Sequence, residues 1–226
     1  MTERTGVMLK RVKPGDLGRA VRPPVDGETL RLASEIVESV RAGGESAVRT
    51  FAERFGERGP GEPIVLGGAV MSAALEELDA SERGVLERTA ERIRVFAQAQ
   101  RDAVRPVDVA VPGGRAGHDV LPVRSAGCYA PAGRYPLPSS VLMTAVTARV
   151  AGCERVVTAS PGAHPVMLAA AAIAGADEFL AAGGAHGVSA MAFGFEGFAR
   201  CDVIAGPGNK WVTAAKQLVS GVVGID

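Results

Sequence analysis

From residue 28 onward, apolar positions recur at helical spacing. Leu30, Ile36, Val37 and Val40 make one stripe, which stops at Gly43-Gly44, a helix-ending signal. Val48, Phe51, Ala52 and Phe55 make a second stripe, over 45–55. Residues 56–61 read as a loop and 64–66 as a short strand. The spacing predicts further helices over 71–78 and 82–100. The longer one sets Val85, Leu86, Ala90, Ile93, Phe96 and Ala97 against a charged face and is broken by Pro106. Apolar runs flanking Pro112-Gly113-Gly114 predict a β-hairpin with strands at 107–111 and 119–123. Ahead of all this, residues 1–27 read as an irregular arm punctuated by Pro14, Gly15, Gly18, Pro23 and Pro24.

After Gly127 the rhythm changes. Short apolar strands at 155–159, 178–182, 202–205 and 222–225 alternate with helices at 139–150, 165–174, 187–193 and 209–219. That alternation predicts an α/β fold: a Rossmann-like parallel sheet covered by helices, over 127–226. The sheet reads as incomplete, because the last residues fall inside an expected strand. The preceding helical and hairpin segment, 28–126, is expected to be the first part of a second, likewise incomplete α/β domain with apolar surface left exposed.

Charge sharpens this division. The 226 residues carry 25 basic and 25 acidic side chains, a balance that argues against a nucleic-acid partner. The distribution is uneven: residues 1–126 hold 19 of each sign and residues 127–226 only six of each. A segment so poor in charge either is buried or offers its backbone to a ligand, so 127–226 is the candidate functional unit. Cys128, Cys153 and Cys201 are an odd number without CxxC spacing, which fits a reducing compartment. No apolar signal region opens the chain, and the uncharged stretch 156–176 is interrupted by Pro161, His164 and Pro165. The expectation is a soluble, cytoplasmic protein without a membrane partner.

Three glycine-rich turns follow strands or precede helices: Cys128-Tyr-Ala-Pro-Ala-Gly133, Gly183-Gly-Ala-His186 and Gly206-Pro-Gly-Asn209. In a parallel sheet such turns collect at the carboxyl ends of the strands, where ligands bind. They can expose helix N–H groups to phosphate, or they can simply permit tight turns. No GxGxxG or GxxxxGK[ST] decides between the two. Of the histidines, His118 reads as solvent-facing, His164 as a loop or helix-start residue, and His186 as the one placed to touch a ligand. Cys153 reads as a buried structural thiol, and Cys128 has no evident base partner. Glu154, Asp177, Glu178 and Asp202 precede or open strands, the end opposite to catalysis.

Three blocks carry a family resemblance: Gly127-Cys-Tyr-Ala-Pro-Ala-Gly-Arg-Tyr-Pro-Leu-Pro-Ser-Ser-Val-Leu-Met143, Gly183-Gly-Ala-His-Gly-Val-Ser-Ala-Met-Ala-Phe-Gly194 and Gly206-Pro-Gly-Asn-Lys-Trp-Val212. In order and spacing they resemble the histidinol dehydrogenases, from about residue 28 to the end of the chain. The resemblance implies a homodimeric, zinc-dependent enzyme that oxidises L-histidinol to L-histidine by two hydride transfers to NAD. It implies NAD contacts at Tyr129, His186 and Asn209, with His186 standing where the family usually has Gln. The family's zinc ligands, its Glu-His acid/base pair and most histidinol contacts are expected beyond Asp226, so no catalytic or metal residue is assigned within the chain. On that footing the chain alone is not expected to turn over histidinol. A relative that oxidises another polar alcohol, such as a sulfonated diol, and a non-catalytic nucleotide-binding or dimerising half-protein are the alternatives.

Overall fold

The glycine pair at the end of the first apolar stripe interrupts the helix, as the sequence predicts, and a second helical segment follows at once. Helix α1 runs over Gly27–Arg54 with a break at Gly44 (φ 54°, ψ −135°), and Asp26 caps its start by accepting the Thr29 N–H at 2.7 Å. This is a computed structural model, and it describes residues 24–132 and 135–226. Most of the expected N-terminal arm, and Gly133 and Arg134 of the first glycine block, lie outside the described residues.

After α1 come β1 (Val65–Gly67), α2 (Gly68–Glu77) and α3 (Ala80–Ala103). Next is a hairpin of β2 (Val107–Val111) and β3 (Gly114–His118). Then β4 (Ser125–Tyr129), α4 (Pro138–Ala151), β5 (Arg155–Ala159), α5 (Pro165–Ala174) and β6 (Glu178–Leu180) alternate. The chain continues through α6 (Gly184–Phe193), β7 (Val203–Ala205), α7 (Lys210–Val219) and β8 (Gly224–Ile225). Pro165 opens α5 and Gly175 closes it in the left-handed region (φ 76°), as proline and glycine do when they bracket a helix.

Six strands make one sheet in the order β1-β6-β5-β4-β7-β8. All neighbours are parallel except β1, which runs antiparallel to β6. The fold is therefore α/β with a mostly parallel central sheet. Helices α2, α3, α4 and α5 bury one face around Met71, Leu142, Met167 and Phe179. Helices α1, α6 and α7 bury the other around Val40, Val188, Met191 and Ile204. Residues 28–103 thus supply an edge strand and part of the cover on each face of the sheet that 125–225 builds.

The hairpin differs from expectation in register. A two-residue turn at Pro112-Gly113 (Gly113 φ +88°) pairs Val111 with Gly114 and Val107 with His118, so the second strand is 114–118 and not 119–123. Gly117 fits this register because a Cβ there would lie 2.2 Å from the Val107 carbonyl oxygen. Every residue of both hairpin strands is exposed. A strand that apolar patterning does not predict, β4, lies at the centre of the sheet with all five residues buried. At Gly127 a side chain would strike the Met191 sulfur at 2.7 Å, so α6 can lie close over the sheet only with glycine there.

Candidate functional site

The carboxyl ends of β4, β6 and β7 point to one side of the sheet, and the three glycine turns meet there. They border a cleft of about 440 Å³ whose lining includes Tyr129, His186 and Asn209 together with Phe55, Glu57 and Trp211. The three residues expected to contact a nucleotide therefore share one cavity.

Their individual settings differ. Tyr129 ends β4 with its ring 2% exposed, and its hydroxyl accepts the Gly184 N–H at 2.9 Å. Burial pushes the phenol up to about 12, so it stays protonated near neutrality and keeps its own O–H to donate. With so little exposed ring, Tyr129 reaches the cleft mainly by bracing the start of α6. Asn209 caps α7: its Oδ1 accepts the Trp211 N–H at 3.0 Å and the Val212 N–H at 3.3 Å. Its amide nitrogen has no partner among the described residues and faces solvent, free to donate to a ligand.

His186 lies within the first turn of α6, which begins three residues before the expected start, and is 1% exposed. Its Nε2 is 2.9 Å from Oε2 of Glu57, and the same oxygen accepts the Gly183 N–H at 2.9 Å. Facing a carboxylate, Nε2 is the donor of this pair, and Nδ1 is buried with no partner among the described residues. Phe51 and Phe55 flank the imidazole with ring centroids 5.9 and 5.5 Å away. The carboxylate that anchors this corner is Glu57, in the loop after α1, which sequence reading leaves unassigned. Nothing local marks it, because its partners stand 126 and 129 positions away.

The turn glycines do more than relax the chain. A Cβ on Gly206 (φ +128°) would lie 2.1 Å from the Tyr129 carbonyl oxygen, and one on Gly183 would meet the Pro161 ring at 2.2 Å. These contacts set the β7 turn against the end of β4 and the β6 turn against the loop after β5, closer than any side chain would allow. A nucleotide fits such a cleft: it offers flat apolar walls at Phe55 and Trp211, a free amide donor at Asn209 and a carboxylate at Glu57.

A sequence profile described as histidinol dehydrogenase matches residues 24–226. The chain belongs to the histidinol dehydrogenase family. It is 42% identical over 205 residues to a histidinol dehydrogenase of Streptomyces avermitilis, an alignment covering 87% of this chain and 46% of that protein. It is 37% identical over 205 residues to a sulfopropanediol 3-dehydrogenase of Ruegeria pomeroyi, covering 88% of this chain and 46% of that one. The crystal structure of histidinol dehydrogenase from Elizabethkingia anophelis superposes with a TM-score of 0.80 at 26% identity, over 92% of this chain and 48% of that one. The chain spans about half the length of the curated relatives it matches.

The family implies zinc as well as NAD. Among the described residues no group of three or more His, Cys, Asp or Glu side chains is gathered as metal ligands would be, so these residues do not fit a zinc ion. Nor do the cysteines offer a nucleophile. Burial pushes the Cys128 thiol up to about 12 and the Cys201 thiol to about 11, which keeps both protonated. Cys153 is also buried, and its thiol is raised too. Glu154, Asp177, Glu178 and Asp202 sit at the amino ends of the strands, away from the cleft. Among the described residues no helix is long and apolar enough to cross a membrane.

Proposed function

We propose that this chain carries the dinucleotide-binding part of a histidinol dehydrogenase, in which L-histidinol is oxidised to L-histidine with NAD. The observation behind it is the convergence of Tyr129, His186 and Asn209 on one cleft at the carboxyl ends of the strands. A bound NAD would supply the hydride acceptor. The chain's own groups would hold it: Asn209 donating from its free amide, and Tyr129 bracing the start of α6 by accepting the Gly184 N–H. Assembly as a cytoplasmic homodimer belongs to the same reading, through the family resemblance.

Calorimetric titration of the chain with NAD tests it. Asn209→Asp keeps an oxygen to cap α7 but removes the amide donor, so it separates binding from folding. NAD affinity is expected to fall about tenfold or more, the cost of an unmade polar contact beside an added like charge, while the melting temperature stays nearly unchanged. Equal affinity in the two proteins would refute the assignment. Kinship with the sulfopropanediol dehydrogenase supports a second reading, oxidation of a sulfonated diol at the same nucleotide site. Comparing kcat/KM for L-histidinol and for that diol in the complete protein separates the two.

A further inference from the structure

We propose that Glu57 is the specificity-determining residue of the cleft, accepting a hydrogen bond from the adenosine ribose 2′-hydroxyl and so favouring NAD over its 2′-phosphorylated form. The inference rests on the dinucleotide reading above and goes beyond it to the part of the ligand that is read.

The geometry is that of a carboxylate prepared for one task. Oε2 of Glu57 is held from two sides, by the Gly183 N–H and by His186 Nε2, each at 2.9 Å. The side chain is 11% exposed, so it is fixed rather than waving in solvent. Oε1 has no protein partner among the described residues and is not among the buried unpartnered atoms, so it is accessible, and Glu57 lines the cleft. An ionised carboxylate only accepts, so the complementary ligand group is a hydroxyl donor. Phe55 and Trp211 wall the same cleft, as an adenine face requires, which places adenosine here.

Buried His186 explains why the carboxylate keeps its place. Its Nε2–H can donate to Glu57 only, and the imidazole is wedged beside Phe51 and Phe55. The family's usual Gln at this position has a longer, freer side chain. His186 therefore acts as a positioning residue, through Glu57. A 2′-phosphate placed at Oε1 would bring like charges together and would have no hydrogen to offer.

The test titrates the 226-residue chain with NAD, NADP and 2′-deoxyadenosine-NAD. In the wild type NAD is expected to bind about 100-fold more tightly than NADP, and the 2′-deoxy analogue about tenfold more weakly than NAD, as for one lost hydrogen bond and one like-charge clash. In Glu57→Gln the NAD-over-NADP ratio is expected to fall at least tenfold, chiefly by tighter NADP binding, because charge is removed while shape is kept. Should that variant fold poorly, the deoxy analogue on the wild type still decides. Undiminished binding of the deoxy analogue, or an unchanged ratio in a folded Glu57→Gln protein, overturns the role of Glu57 while leaving the NAD site standing. Binding of none of the three nucleotides overturns the dinucleotide reading, and this one with it.

Discussion

The two ends of the sheet are finished differently. At the amino ends, charged side chains close the structure. Asp177 accepts the Val156 N–H at 2.7 Å, Asp202 accepts the Ser125 N–H at 2.8 Å, and Arg155 pairs with Glu178. At the carboxyl ends, glycines bring the turns together, Asp226 accepts the Gly206 N–H at 2.9 Å and pairs with Lys216, and two polar atoms are left over at the cleft: the Asn209 amide and Oε1 of Glu57. A fold gains stability by satisfying its polar groups, whereas binding needs groups held in place and unsatisfied. The contrast is a second argument, separate from the resemblance, for the proposed site at the carboxyl ends.

The largest effect is expected where the open end depends on glycine. Gly206→Ala puts a Cβ 2.1 Å from the Tyr129 carbonyl oxygen, at a backbone angle (φ +128°) that side chains rarely adopt. Thermal melting is expected to show a loss of about 3 kcal/mol or more, a drop of roughly 6–12 °C for a domain this size. Gly27→Ala, in the first turn of α1 with nothing within 4 Å of the added carbon, is the control. It should be neutral or stabilising by about 0.5–1 kcal/mol. Equal melting of the two variants would mean that the turns are not packed against one another.

What was legible in the chain follows the same division. Helix ends announce themselves locally: Gly43-Gly44, Pro165 with Gly175, and Asn209 each act within a turn of their own position. The alternation after Gly127 predicted the parallel sheet because each strand and helix there is a contiguous run. Strand β4 was illegible. Ser125-Ala-Gly-Cys-Tyr129 has no β-branched residue, and it is a strand because β5 and β7 pair with it on both sides. The hairpin register was set by a two-residue turn that apolar pattern alone does not count. At the site, turn position singled out His186, and resemblance added Tyr129 and Asn209. Glu57 depends on contacts across more than half the chain and leaves no mark on its neighbours in sequence.

An intermediate effect is expected at the closed end. Arg155 donates from two guanidinium nitrogens to Glu178 and from the third to the Ala199 carbonyl at 2.9 Å, and it lies over the Phe198 ring at 5.0 Å. Both charged side chains are about a quarter exposed, so the pair is only partly screened. Arg155→Ala is expected to cost about 2 kcal/mol, read by denaturant unfolding, because it removes a forked charge pair together with its packing. Affinity for NAD should not change. A loss of binding as large as the loss of stability would show that the two ends are coupled and would blunt the contrast drawn above.

The smallest effect tests whether the closed end is electrostatic in kind. Asp202 accepts from both the backbone N–H and the hydroxyl of Ser125, and the Ser125 hydroxyl in turn accepts the Asp202 N–H at 3.0 Å, a reciprocal clasp between β4 and β7. These hydrogen bonds, with help from the Arg124 guanidinium, hold the Asp202 carboxyl below the ordinary carboxylate range. A carboxyl whose folded value is depressed favours the folded state wherever it is ionised. Its contribution is therefore full above the ordinary carboxylate value and disappears as pH falls through the lower, folded value. Asp202 is exposed, so solvent screens the effect, and Asp202→Asn is expected to cost about 1 kcal/mol at pH 7. The gap between wild type and variant should narrow steadily below about pH 4 and vanish once both side chains are neutral. Asp26 and Asp226, also depressed, titrate in both proteins, and their contribution cancels in the difference. A gap that stays constant from pH 7 down to the acid transition would mean that the clasp works by shape and neutral hydrogen bonding. The amino end of the sheet would then be closed by the same kind of packing that holds the glycine turns together at the other.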